Sequence, residues 1–203
     1  MSTTLIRSAV TGAVLTSAIA LSDAVWQATS DEPAPWTPGE GVAWLARIGD
    51  AVHGVTYALL AAALVHCATR IDACRAAVRW LRRIAVVDLV LLAVSFLYSA
   101  ATGAVGGDGL LGAVLGVAFL ALFPLAVAFG AVLAARPATR GLPAWVLLAT
   151  LPLLGLTVLA NAVGWAHPGY AETSVYLGLA LLGAVSRSAV QPRAEESALA
   201  RMG

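Results

Sequence analysis

Apolar residues fall in six long stretches along this chain, each bounded by short polar or charged segments. A hydrocarbon layer about 30 Å thick needs roughly 20 consecutive apolar residues to be crossed as an α-helix. Stretches of that kind cover residues 5–26, 44–67, 84–103, 109–134, 142–165 and 170–190. The pattern predicts an all-α, polytopic membrane protein: a bundle of six transmembrane helices over residues 1–190. Residues 191–203 read as a flexible cytoplasmic tail. The first stretch carries Arg7, a long Ala-rich apolar run and Ser-Ala-Ile-Ala at 17–20, features shared with a cleavable signal sequence. Its apolar run continues through Leu21 to Trp26, so it is read as a retained span.

Charge alternates with the stretches. Arg7 precedes the first, and Arg70, Arg75, Arg79, Arg82 and Arg83 lie between the second and third. Arg136 and Arg140 separate the fourth and fifth, and Arg187, Arg193 and Arg201 end the chain. The remaining connections hold Asp23, Asp31, Glu32, Glu40, Asp108 and Glu172, with Arg47 the one arginine on that side. Arginine collects on the cytoplasmic side of multipass proteins, so both termini are expected in the cytoplasm. The Arg70–Arg83 segment, with Trp80, reads as a cytoplasmic extension of two helices that could meet anionic headgroups. The largest outer connection, residues 27–43, contains Pro33, Pro35 and Pro38 and should not be helical. Trp26, Trp36 and Trp44 bracket it at the expected headgroup level.

Composition narrows the function classes. The chain is 60% hydrophobic and only 11% charged, with mean hydropathy +0.87, so its outer surface is expected to face lipid. A net charge of +1 argues against nucleic acid as a partner. All 12 basic residues are arginine. A retinal Schiff base, a pyridoxal phosphate site and a Walker-type phosphate loop each need a lysine amine and are excluded. Cys67 and Cys74 fall on the side where thiols stay reduced, so no structural disulfide is expected. A bacterial plasma membrane is the expected location.

Within the spans, Gly109, Gly112, Ala113 and Gly116 form a ridge of small residues suited to close helix packing. Pro124 and Pro152 should kink the fourth and fifth spans.

Ionisable groups inside a bilayer are costly and mark candidate sites. The second span places Arg47, Asp50, His53, Gly54 and Tyr57 on one helical face, in its outer half. An aspartate one turn from a histidine can orient the imidazole and raise its basicity. Asp50, His53 and Glu172 are therefore the candidate catalytic acid/base groups. Tyr57, Tyr98, Ser99, Asn161, Trp165 and Tyr176 are candidate ligand-binding residues at the same membrane level, joined by Ser95, Thr102, Thr157 and His167. Together they would line an outward-facing pocket for a small lipophilic ligand above a closed cytoplasmic half. Isomerisation, cyclisation and hydrolysis would all suit it. Asp88 shares a face with Ser95, Ser99 and Thr102, and this stripe would suit a transporter or a proton path instead. A third class is a non-catalytic subunit docking another membrane protein or a second copy of itself. A haem needs histidines from facing helices at matched depth, whereas His53 and His66 share one helix and His167 lies in a loop. His66, Cys67 and Cys74 match no common zinc spacing. No metal site and no cofactor are expected.

Overall fold

The protein is described here by a computed structural model, covering residues 2–30, 32, 34–37, 40–68, 76–103, 109–137, 139–165 and 167–184. Its elements are α1 (Ser2–Thr29), α2 (Ala43–His66), α3 (Ala76–Thr102), α4 (Gly109–Ala134), α5 (Leu142–Leu148), α6 (Thr150–Ala160), a 3-10 turn (Asn161–Val163) and α7 (Gly169–Ala184). Five segments are long and apolar enough to cross a membrane: Thr3–Thr29, Ala43–His66, Ala76–Thr102, Gly112–Ala134 and Leu142–Ala160. The sixth expected span corresponds to α7. Its 16 residues would reach about 24 Å at 1.5 Å per residue, and residues 185–190 of the expected span lie outside the described set.

Hydrophobic length decides these helices more than capping does. The caps at Val42, Gly141 and Ala149 make no side-chain hydrogen bond. In lipid the unsatisfied backbone cost alone holds an apolar segment helical. Helix ends are closed by other means. Gly103 and Gly164 take positive φ, 69° and 74°, where a side chain would be strained. Arg140 Nε donates to Ala134 O (2.9 Å) and Thr139 Oγ1 to Leu133 O (2.7 Å), covering the last carbonyls of α4. Arg47 Nη2 donates to Thr102 O (3.3 Å) at the end of α3.

The helices differ in detail from the apolar stretches. The third helix starts at Ala76, ahead of the apolar stretch at Ile84, so the arginine-bearing part from Ala76 is helical, in keeping with the expected extension. There Arg83 lies over the Trp80 ring at 5.3 Å. The fifth span is interrupted at Ala149 and ends in the 3-10 turn. Pro152 has no N–H for the Leu148 carbonyl, which accounts for the break. In α4, by contrast, the helix continues through Pro124. Within the small ridge of α4, Gly112 is half-buried, Ala113 and Gly116 are exposed, and a Cβ on Gly116 would meet nothing within 4 Å.

Close approach happens elsewhere. A Cβ on Gly54 would lie 2.7 Å from Leu97 Cγ and 3.0 Å from the Leu97 amide, which lets α2 and α3 pack tightly. Leu147, fully buried, is received by Gly178 of α7 and Gly130 of α4. The last helix is the inner member of the bundle, packed against α1, α2, α4, α5 and α6. None of residues 169–182 is exposed. Polar side chains on α7 therefore lie inside protein rather than against lipid: Ser174 and Thr150 pair their hydroxyls at 2.7 Å, while the Tyr170 hydroxyl is buried without a partner. The outward faces are apolar instead, with Val87, Val117, Val158 and Leu159 between 68% and 74% exposed. Such a surface suits acyl chains and not water.

Candidate functional site

Packing of α2 against α3 sets the site. The two helices run antiparallel, and Ser99 Oγ donates to Asp50 Oδ2 at 2.6 Å. One turn on along α2, and one turn back along α3, His53 stacks on Phe96 with ring centroids 5.3 Å apart and planes 18° from parallel. His53 Nδ1 lies 2.9 Å from Gly49 O, four residues earlier on the same helix. A carbonyl can only accept, so Nδ1 carries the hydrogen and Nε2 keeps its lone pair.

The α7 helix brings the second carboxylate. Tyr176 OH donates to Glu172 Oε2 at 2.9 Å. Tyr57 OH lies 2.8 Å from Tyr176 OH. The Tyr176 proton is committed to Glu172, so Tyr57 donates to Tyr176. Both tyrosines are fully buried, and Glu172 is 6% exposed. The two rings meet edge to face at 5.7 Å, a favourable geometry for aromatic pairs.

The third carboxylate comes from α1. Asp23 Oδ2 is 3.1 Å from His167 Nε2. The Gly169 N–H donates to His167 Nδ1 at 3.0 Å, so that nitrogen is an acceptor and Nε2–H points to Asp23. The outer connection then folds over the top. Thr37 N–H donates to Ala34 O (2.8 Å), and Val42 N–H to Pro35 O (2.6 Å). A Cβ on Gly41 would stand 2.5 Å from Pro35 O, so the turn requires glycine there. Trp36 is held edge-on against Trp26 at 6.2 Å.

These elements enclose a cavity of about 140 Å³ lined by Ile19, Ala20, Asp23, Trp36, Thr37, Gly49, Asp50, His53, Phe96, His167 and Glu172. A 150 Å³ apolar cavity engineered into another protein binds benzene, which sets the scale at about one ring. Of the expected site residues, Asp50, His53 and Glu172 share this cavity. Ser99 and Tyr176 stand behind it as bonding partners of the two carboxylates, and Tyr57 bonds the Tyr176 hydroxyl in turn. Tyr98 points away, 58% exposed, and Trp165 is 41% exposed. Asn161 is also exposed, and none of these three lines the cavity.

Sequence reasoning missed Asp23, Trp36, Thr37 and Phe96. Asp23 had a signal, an acid at the outer end of an apolar helix. Phe96 followed from Ser99 once Asp50 was matched to it. Trp36 and Thr37 sit in a loop whose fold no periodicity encodes.

The expected Asp88 stripe is not joined up. Ser95 Oγ donates to Leu91 O (2.8 Å) and Thr102 Oγ1 to Tyr98 O (2.9 Å), both within their own helix. Ser99 turns to Asp50 instead. Asp88 Oδ2 is buried without a partner. Toward the arginine-rich end, Leu60, Leu64, Leu89 and Leu92 fill the space between α2 and α3, each at most 1% exposed. Between α2 and α3 the bundle is thus filled at the arginine-rich end and hollow at the acidic end.

Fold and composition together define a multipass helical membrane protein. No family model, curated protein or solved structure matches the chain.

Proposed function

We propose that the cavity binds a small ligand with an apolar body and transfers a proton to or from it, as a membrane-embedded acid/base site. The observation that carries this reading is the state of His53. Its Nδ1–H is spent on Gly49 O, its Nε2 makes no hydrogen bond to the described residues, and His53 lines a cavity together with Asp50 and Glu172. A positioned imidazole with an open lone pair is a general base, and a buried carboxyl beside it can return a proton. Phe96 fixes the ring plane by stacking, and Ser99 and Tyr176 fix the two carboxylates. Ile19, Ala20 and Phe96 supply apolar wall for the ligand body. Proton abstraction of this kind serves isomerisation, cyclisation and hydrolysis alike. The site faces outward across a bacterial plasma membrane, with the arginine-rich connections and both termini in the cytoplasm.

The test is turnover. Membranes containing the protein, incubated with a small-molecule extract and followed by mass spectrometry, should convert at least one compound. His53→Gln should abolish that conversion while the yield of folded protein is kept. Conversion that survives His53→Gln would remove the assignment.

A proton-conducting function is the second reading. It is favoured by the chain of hydrogen bonds from Glu172 through Tyr176 to Tyr57, which runs from the cavity into the bundle. Asp88, with its unpartnered oxygen, would be the next acceptor. Reconstituted vesicles should then pass protons, and Asp88→Asn should stop them.

A further inference from the structure

From the charge and the unpaired atoms of the cavity, we infer that its ligand is a small organic ammonium ion. The inference rests on the reading that the cavity holds a ligand, and it names the class. Three carboxylates line a space of about 140 Å³, and among the described residues no arginine lines it. Lysine is absent from the chain.

Two of the three carboxylates are almost completely removed from solvent, Asp50 at 7% and Glu172 at 6% exposure. Each receives one hydrogen bond from a neutral hydroxyl. Asp23 receives two on Oδ2, from a neutral imidazole and from Gln27 Nε2 at 3.3 Å, and none on Oδ1. One neutral donor does not compensate a buried carboxylate; a cation with further donors does.

The unsatisfied atoms say the same. Asp23, Trp36 and Thr37 all belong to the wall, and Asp23 Oδ1, Trp36 Nε1 and Thr37 Oγ1 are buried without a partner. The first is an acceptor awaiting an N–H. The other two, on the covering loop, are donors awaiting an oxygen. A ligand with an ammonium group at one end and a hydroxyl or carbonyl oxygen at the other satisfies all three.

Other classes fit less well. An anion would meet three carboxylates. A bare metal ion needs ligands converging at about 2 Å, and no group of three His, Cys, Asp or Glu among the described residues is so placed. A neutral apolar molecule would leave the Asp50 carboxylate with only the Ser99 hydroxyl.

Ethanolamine is the probe, titrated calorimetrically into the full chain in phosphatidylcholine nanodiscs, which carry no net charge to attract amines. Ethylene glycol and acetate serve as neutral and anionic controls of similar size, and tetrabutylammonium as a cation too large for the cavity. Ethanolamine should bind saturably and the three controls should not. Asp50→Asn and Glu172→Gln keep an oxygen for Ser99 and Tyr176 while deleting charge, and each should weaken binding at least tenfold. Asp23→Asn, at the 22% exposed carboxylate, gives a third variant that does not disturb the bundle interior, with the same expectation.

Absence of saturable ethanolamine binding, or binding unchanged in all three variants, would overturn the inference. So would a neutral or anionic compound converted in a His53-dependent manner, an outcome that leaves the acid/base reading standing. Ethanolamine binding without any His53-dependent conversion does the reverse: the cation site stands and the catalytic reading falls.

Discussion

Tyr176→Phe should destabilise the bundle far more than Tyr57→Phe, although the two hydroxyls share one hydrogen bond. Direction in the chain is the reason. Tyr57 donates to Tyr176, and Tyr176 donates to Glu172. Deleting the Tyr57 hydroxyl removes the terminal donor and strands nothing: Tyr176 still has its acceptor. The expected cost is about 0.5–1 kcal/mol, the usual scale of an interhelical hydrogen bond in a membrane bundle. Deleting the Tyr176 hydroxyl strands two groups at once. Tyr57, fully buried, has nothing to donate to, and Glu172 loses its donor at 6% exposure. A buried polar group left without its partner costs about 1–3 kcal/mol. The sum is about 2–6 kcal/mol, more than a tenfold change in the folded-to-unfolded ratio. The double variant gives the sharper result. Replacing Tyr57 as well removes one of the two stranded groups, so it should recover about 1 kcal/mol relative to Tyr176→Phe alone. Equilibrium unfolding in mixed detergent micelles, followed by tryptophan fluorescence, measures all three. Equal costs for the two single variants, or a double variant less stable than Tyr176→Phe, would refute the assigned direction.

Other outcomes follow from the packing and the covering loop. Gly54→Ala should cost about 1–3 kcal/mol, because its Cβ meets the Leu97 backbone amide at 3.0 Å, whereas Gly116→Ala should be neutral or stabilising; thermal unfolding of the pair checks this. Gly41→Ala should displace the 34–37 turn by collision with the Pro35 and Ala34 carbonyls, and weaken ethanolamine binding while the melting temperature is largely kept. Thr16→Val leaves Thr56, whose hydroxyl lies 2.8 Å from Thr16 Oγ1, without its partner between α1 and α2; the loss should be about 0.6–1.7 kcal/mol by the same unfolding assay. For orientation, a cysteine at Glu40 should react with an impermeant thiol reagent in intact cells, and one at Arg136 only after permeabilisation. Reaction of both from outside would overturn the assigned topology.

The sequence by itself determined the class of fold, and the reason is local. Each apolar stretch is long enough to satisfy its own backbone only as a helix in lipid. Length and hydropathy therefore placed α1 to α4 and the α5–α6 segment without reference to one another. Helical spacing also put Asp50, His53 and Tyr57 on one face, because three- and four-residue steps return to the same side. Which faces meet is a property of the assembled bundle. An exposed glycine ridge and a buried one read alike in sequence: Gly116 looks like a packing surface and touches nothing, while Gly54 receives Leu97. Tyr98 and Ser99 are neighbours in sequence, yet one faces outward and the other bonds Asp50, since one residue turns the helix by about 100°. The covering turn over Trp36 and Thr37 depends on contacts with α1 that no periodic pattern records. Tertiary structure alone brought Asp23 of α1, Asp50 of α2 and Glu172 of α7 to one cavity. Charges so far apart in the chain acquire a shared meaning only when packing removes the water between them.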